Sequence, residues 1–177
     1  NDGQVQRVDV KRGEVETLFG TIHKASVLNV IPPQRAGIIT ERAGVADASG
    51  WVPVHPDGFD SRQVKDIYVL GDATIAAPMP KSGFVANVQG RMAAGVIAAD
   101  LTGQPRPKPT YANTCYSLVA PGYAISVSGL YEAKDDQLVE LPGLGTSPLD
   151  ADAAYRAQEA SNSMGWYESI STEIWDQ

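Results

Sequence analysis

Asp72 and Cys115 are the side chains whose types and settings best suit chemistry, one as an acceptor for a ligand hydroxyl and the other as a thiol. Asp72 follows the strand-forming run Ile-Tyr-Val-Leu at 67–70 and Gly71. A buried parallel strand delivers a carboxylate to a ligand at its carboxyl edge in this way. Further on, Ser82 stands as an N-cap before "GFVANVQGRMAAGVIAAD", with Val85, Val88, Met92, Val96 and Ile97 at spacings of three and four. That pattern predicts a helix over 83–100 whose first turn aims unpaired N–H groups and the positive dipole end at something electron-rich.

A flavin presents partners for both features. Its ribityl hydroxyls suit the carboxylate, and its pyrimidine carbonyl, which gains negative charge on reduction, suits the helix end. The same residues also read without a ligand: Gly71-Asp72 is a common turn dipeptide, and Ser82 then does no more than cap the helix. Cys115 is the sole cysteine, so it is either a free thiol or one half of a bond whose partner lies outside these residues. Flanked by Tyr111 and Tyr116, it also reads as a half-buried structural thiol.

Other chemistries lack their signatures. His23 and His55 have no second ligand at metal spacing. Neither Ser82-Gly83 nor "SVSGL" at 126–130 forms the Gly-x-Ser-x-Gly elbow of a hydrolase. No phosphate-binding loop is present, and no Gly-x-Gly-x-x-Gly follows a strand. A formal charge of -7, with 14 scattered basic residues, argues against a nucleic-acid or anionic-membrane surface. No apolar run is long enough to span a bilayer, and a 43% apolar share places the chain among globular proteins of one or two domains.

The elements that must position these residues fall into two regions. Strands, Pro-rich loops and a helix alternate up to residue 104, which favours an α/β arrangement. "VQRVDVKRGEVETLFG" reads as a hairpin turning at Lys11-Arg12-Gly13, "KASVLNVIPP" as a buried strand stopped by Pro32-Pro33, and 36–43 as a short helix. Pro105, Pro107 and Pro109 then form an extended linker. Beyond it, "YANTCYSLVA", "YAISVSGLYEA" and "QLVELPG" predict a three-stranded antiparallel sheet, and 151–175 a final helix that Gly165 interrupts or bends. The fold class is therefore mixed α and β. The opening Asn1-Asp2-Gly3, running directly into the hairpin, reads as the middle of a domain.

"VLGDATIAAPMPKSGFVANVQG" together with "NTCYSLVAPGYAISV" resembles the flavoprotein subunits of flavocytochrome c sulfide dehydrogenases. The resemblance extends over nearly the whole chain, including "VLNVIPPQRAGIITERAGV", "GWVPV" and the closing "MGWYES". It implies that 1–104 is part of an FAD/NAD(P)-binding, disulfide-reductase-like region and that 105–177 is the carboxyl-terminal domain of that family. Gly71 and Asp72 match the contact with the FAD ribityl chain, and Lys81, Ser82, Gly83, Phe84, Ala86 and Asn87 match the segment around the flavin ring. Cys115 matches one cysteine of a redox-active disulfide, and Trp166 a tryptophan near the flavin.

The implied activity is periplasmic oxidation of sulfide, or of a related reduced sulfur compound such as sulfite, through the disulfide and FAD to a cytochrome c subunit. The second cysteine, a catalytic glutamate and an amino-terminal dinucleotide fingerprint have no counterpart here, so these 177 residues alone are expected to be inactive. Two other classes fit the same residues. One is a quinone- or pyridine-nucleotide-linked FAD oxidoreductase in which Cys115 is idle. The other is a non-catalytic docking or dimerisation module using Trp166, Tyr167 and Trp175.

Overall fold

A computed structural model describes residues 3–175. Two compact units divide between Gln34 and Arg35. In the first, β1 (Val5–Asp9), β2 (Glu14–Thr17) and β3 (Ile22–Lys24) form an antiparallel sheet in that order. The expected hairpin turn lies where the sequence places it, and Arg7 Nε donates to Glu16 Oε2 at 2.8 Å across the register. The expected strand at 24–33 does not form. β3 ends at Lys24, and beyond it Val27 and Ile31 are each 83% exposed, with Leu28 and Val30 only half-buried. A run of apolar residues becomes a strand only where a neighbouring edge takes its N–H and C=O groups.

The second unit begins with α1 (Ile38–Arg42) and β4 (Val52–Pro53), which pairs in parallel with β5 (Thr74–Ile75). Between them the segment 67–70 is not the buried parallel strand its composition suggests. Ser61 N donates to Ile67 O at 2.7 Å and Val69 N to Phe59 O at 2.9 Å, so the backbone groups of 67–70 are taken up by an antiparallel bridge to 59–61. A single turn of 3-10 helix, Gly71–Ala73, follows.

Helix α2 (Gly83–Thr102) starts at the expected cap: Ser82 Oγ accepts from Val85 N at 3.2 Å. It ends at Gly103 in the left-handed conformation. Its buried positions are Val85, Gln89, Ala93, Val96 and Ala99, one stripe at helical spacing with a polar residue inside it. After the linker, β6 (Thr110–Ala120), β7 (Tyr123–Lys134) and β8 (Gln137–Leu141) form the expected antiparallel sheet, turning at Pro121-Gly122 and at Asp135-Asp136. The sheet side chains join those of the preceding segments in a single core of Val45, Val52, Val54, Phe59, Met79, Val85, Tyr111 and Tyr131.

Asp152 Oδ1 accepts from Tyr155 N at 2.8 Å and so sets the start of α3 (Ala153–Trp175). Gly165 does not interrupt the helix, which is continuous through it with open space around that position. The fully buried side of α3 is not mainly apolar. Tyr155, Met164 and Ile174 are exposed, whereas Arg156, Glu159 and Ala160 are buried. Among the described residues no helix is long and apolar enough to cross a membrane.

The second unit is also closed by a clasp. Arg62 grips Asp136 at the β7–β8 turn with Nη1 and Nη2 at 2.7 and 2.8 Å. Arg62, assisted by His55 at 3.4 Å, holds the Asp136 carboxyl down at about 2, against 3.8 for the free side chain. A carboxylate held low favours the folded state above its ordinary value and loses that contribution as pH falls towards 2. Arg62→Ala is therefore expected to return the Asp136 midpoint towards the free value, as read by NMR titration of its carboxyl carbon.

Candidate functional site

The amino end of α2 gathers most of the residues singled out from the sequence. Gly71 approaches the helix with φ near +65, and a Cβ there would lie 3.1 Å from Ala86 Cβ, so only glycine fits both the backbone angle and the contact. Its N–H donates to Gln89 Oε1 at 2.6 Å, which anchors the 71–73 turn to the buried stripe of the helix. Asp72 is exposed, and among the described residues its carboxylate accepts no hydrogen bond, which leaves it free for a ligand hydroxyl.

Lys81 closes this turn from the other side. Its Nζ donates to Asp72 O and, at 2.9 Å, to Thr74 O, and stands 3.9 Å from the centroid of the Trp51 ring. Desolvation by these neighbours lowers the lysine from its ordinary value, with the Asp72 carboxylate opposing. Trp51, Gly71, Thr74, Met79, Lys81 and Gln89 border a cavity of about 210 Å³.

Ser82 links the helix to the sheet. While its Oγ accepts from Val85 N, it donates to Asn113 Oδ1 at 2.8 Å. Asn113 is 2% exposed, and its amide lies against Cys115, with Nδ2 3.4 Å and Oδ1 3.5 Å from Sγ. Period-two alternation puts Tyr111, Asn113 and Cys115 on one face of β6, and burial falls off from Tyr111 to a half-buried Cys115. Tyr111 fixes the buried end of the row by packing edge-on against Phe59 and donating to Pro56 O at 2.7 Å. On β7, a Cβ at Gly129 would overlap the Tyr131 hydroxyl, so the glycine leaves room for that ring beside Asn113, its cross-strand partner. Burial pushes the Tyr131 phenol up, with Glu140 and Cys115 adding to the shift.

An apolar wall completes the site. Phe84 and Trp166 stack with centroids 5.7 Å apart and planes 18° from parallel. Trp166 is also the nearest neighbour that a Cβ on Gly83 would meet, at 4.0 Å. The N–H groups of Gly83 and Phe84, first in the helix, have no acceptor among the described residues. Asn87 is engaged elsewhere, donating to Glu173 Oε2 at 3.3 Å alongside Arg91. These contacts line a cleft of about 560 Å³ between α2 and α3.

Open N–H groups beside a flat aromatic stack and an unengaged carboxylate are a donor set and surface that fit a flavin ring and its hydroxylated chain. Gln89 and Asn113 were not singled out from the sequence. Gln89 carried a signal, being polar on the apolar stripe of α2, whereas Asn113 differed in no visible way from other polar strand residues. Ser82→Ala is expected to destabilise the protein by about 1 kcal/mol, the usual cost of a lost cap. Chemical denaturation of the two proteins side by side measures it.

Residues 107–175 match the family model described as "Flavocytochrome c sulphide dehydrogenase, flavin-binding". Cys115 and Trp166 lie inside the matched stretch, and the 71–87 segment lies before it. That family is one of oxidoreductases, and its flavin-binding character accords with FAD as the cofactor. Residues 107–175 of this chain are thus similar to the flavin-binding domain of flavocytochrome c sulfide dehydrogenases.

Proposed function

We propose that the chain is the carboxyl-terminal part of the FAD-binding subunit of a periplasmic sulfide dehydrogenase, which oxidises sulfide or a related reduced sulfur compound such as sulfite and passes the electrons to a cytochrome c subunit. The observation that carries the reading is the connection from the amino end of α2 through Ser82 and Asn113 to Cys115, a thiol set beside a flavin-compatible surface. In domain terms, 1–104 supplies part of an FAD/NAD(P)-binding, disulfide-reductase-like region and 105–177 the family's carboxyl-terminal domain. The compact units divide at Gln34, so this assignment is one of function and not of compactness.

Gly71 and Asp72 hold the ribityl chain, Asp72 by accepting from its hydroxyls. Lys81 keeps the 71–74 turn in place through its two carbonyl contacts. Ser82, Gly83, Phe84, Ala86 and Asn87 form the edge at which the ring lies, with the open N–H groups of Gly83 and Phe84 facing electron-rich atoms. Trp166, held against Phe84, shields the ring from water. Cys115 is one half of a disulfide whose other half lies outside these residues. Hydrosulfide attacks one sulfur of that bond, an S–S bond forms as another breaks, and a persulfide and a thiolate result. FAD, when bound, supplies the acceptor for the resulting electron pair and the one-electron donor for haem.

The test is a visible spectrum of the purified sample, with the intact mass of every polypeptide in it, followed by addition of sulfide. Flavin bands that bleach on sulfide and recover on addition of cytochrome c are expected where a complementary polypeptide is present. Flavin bands that sulfide does not bleach would point instead to a quinone- or pyridine-nucleotide-linked oxidoreductase in which Cys115 is idle. A colourless sample that nevertheless binds cytochrome c would favour a docking module.

A further inference from the structure

We propose that Asn113 is a positioning residue for Cys115, and that Ser82 locks its amide so that Nδ2 donates to the sulfur. The inference rests on the role of Cys115 in the reading above and adds residues that the sequence motifs do not single out. A serine oxygen that accepts from Val85 N keeps its own proton for Asn113 Oδ1, at 2.8 Å. With Oδ1 bonded to Ser82, Nδ2 is the nearer amide atom to Sγ, at 3.4 Å against 3.5 Å for Oδ1. An N–H donor stabilises a thiolate more than a thiol, and the thiolate is the form that attacks and leaves in disulfide chemistry. Because Asn113 is 2% exposed, water cannot substitute for this donor from the amide side.

The relay also ties sulfur reactivity to the first turn of α2, since Ser82 caps that helix with the same oxygen. A ligand at the helix end and the thiol would then share one hydrogen-bonded path. The titratable groups around this path are few. Tyr131 faces Cys115 from β7, and Glu140 on β8 faces Tyr131. From the loop before α2, Lys81 is directed to the Asp72 and Thr74 carbonyls.

Alkylation of the full chain with iodoacetamide tests this, because the chain has a single cysteine. The thiolate displaces iodide and forms one S–C bond, so a mass increase at Cys115 is an unambiguous readout that needs neither flavin nor sulfide. Asn113→Ala is expected to slow alkylation about tenfold at neutral pH, with the rates converging at alkaline pH where every thiol is ionised. Ser82→Ala is expected to show a smaller loss of the same shape, and Ser82→Thr, which keeps the hydroxyl, to restore the parent profile. Should Asn113→Ala fail to fold, the Ser82 pair decides alone. Parallel profiles for Ser82→Ala, Ser82→Thr and the parent would overturn the proposal while leaving the sulfide reading intact, whereas that reading fails separately if sulfide does not reduce the flavin.

Discussion

Cys115→Ser in the assembled flavoprotein is expected to lower sulfide-dependent cytochrome c reduction by roughly a thousandfold or more, on the scale of losing a covalent catalytic group. Flavin should stay bound. The residues proposed to hold it are on α2, on the 71–74 turn and at Trp166, and none of them relies on the sulfur for its place. Serine also preserves the strand, because position 115 pairs with Val127 through its backbone. Steady-state turnover and the flavin absorbance of the same preparation measure the two halves of the expectation. Undiminished turnover would remove Cys115 from the mechanism and favour a flavoenzyme that reduces its cofactor by another route.

The second large effect is on stability. Glu159→Ala is expected to cost about 3–5 kcal/mol, because it strands a buried guanidinium. Arg156 and Glu159 lie one turn apart on α3 with side chains 5% and 7% exposed, joined by Arg156 Nη1 and Glu159 Oε2 at 3.1 Å. Ser126 Oγ donates to Glu159 Oε1 at 2.7 Å, Ser147 Oγ donates to the same oxygen, and Arg156 Nη2 donates to Pro148 O. The cluster therefore joins α3 to β7 and to the 145–148 loop through buried polar atoms, of which Arg156 Nε has no partner among the described residues.

Burial opposes ionisation of Glu159, but hydrogen bonds from Ser147 and Ser126 and the contact with Arg156 outweigh it and hold the carboxyl below its ordinary value. A carboxylate lowered by folding contributes stability above its unfolded value, and that contribution disappears as pH falls through the lower folded value. The parent should thus lose stability on acidification through this site, whereas Glu159→Ala should be less sensitive to pH over the same range. Urea melts at several pH values measure both the offset and the slope. A Glu159→Gln variant separates shape from charge: it keeps the length, so a loss close to that of the alanine variant would assign the effect to the charge of the pair.

The helix and the antiparallel sheet were legible because their signals are local. Ser82 before the periodic run at 83–100 marks a helix start wherever the chain goes next, since the cap bond to Val85 spans three residues. The alternation at 110–141, punctuated by Pro121-Gly122 and Asp135-Asp136, carries its own turns. The two expected strands that did not form as read, 24–33 and 67–70, had the composition of buried strands without the neighbour that would make them so. Strand formation is a property of two segments: 24–33 joined no ladder beyond Lys24, and 67–70 met only a short antiparallel bridge to 59–61 in place of a parallel neighbour. Gly165 misled for a related reason: its cost in a helix is about 1 kcal/mol, which the contacts of a 23-residue helix outweigh.

By itself the sequence determined the residue types at the site, namely the Gly71-Asp72 turn, the Ser82 cap, the Phe84 and Trp166 rings and the single Cys115 thiol. It also determined the two secondary elements on which most of them sit. Tertiary structure alone decided who touches whom. Asn113 became the link between Ser82 and Cys115, Gln89 the anchor of Gly71, and Arg156 with Glu159 part of the buried side of a helix on which Tyr155, Met164 and Ile174 are exposed. The physical reason is that a polar side chain takes its role from the partner that burial forces on it. The bonds from Gly71 to Gln89, Ser82 to Asn113, and Ser126 and Ser147 to Glu159 span 12 to 33 positions of the chain, beyond the reach of any local pattern.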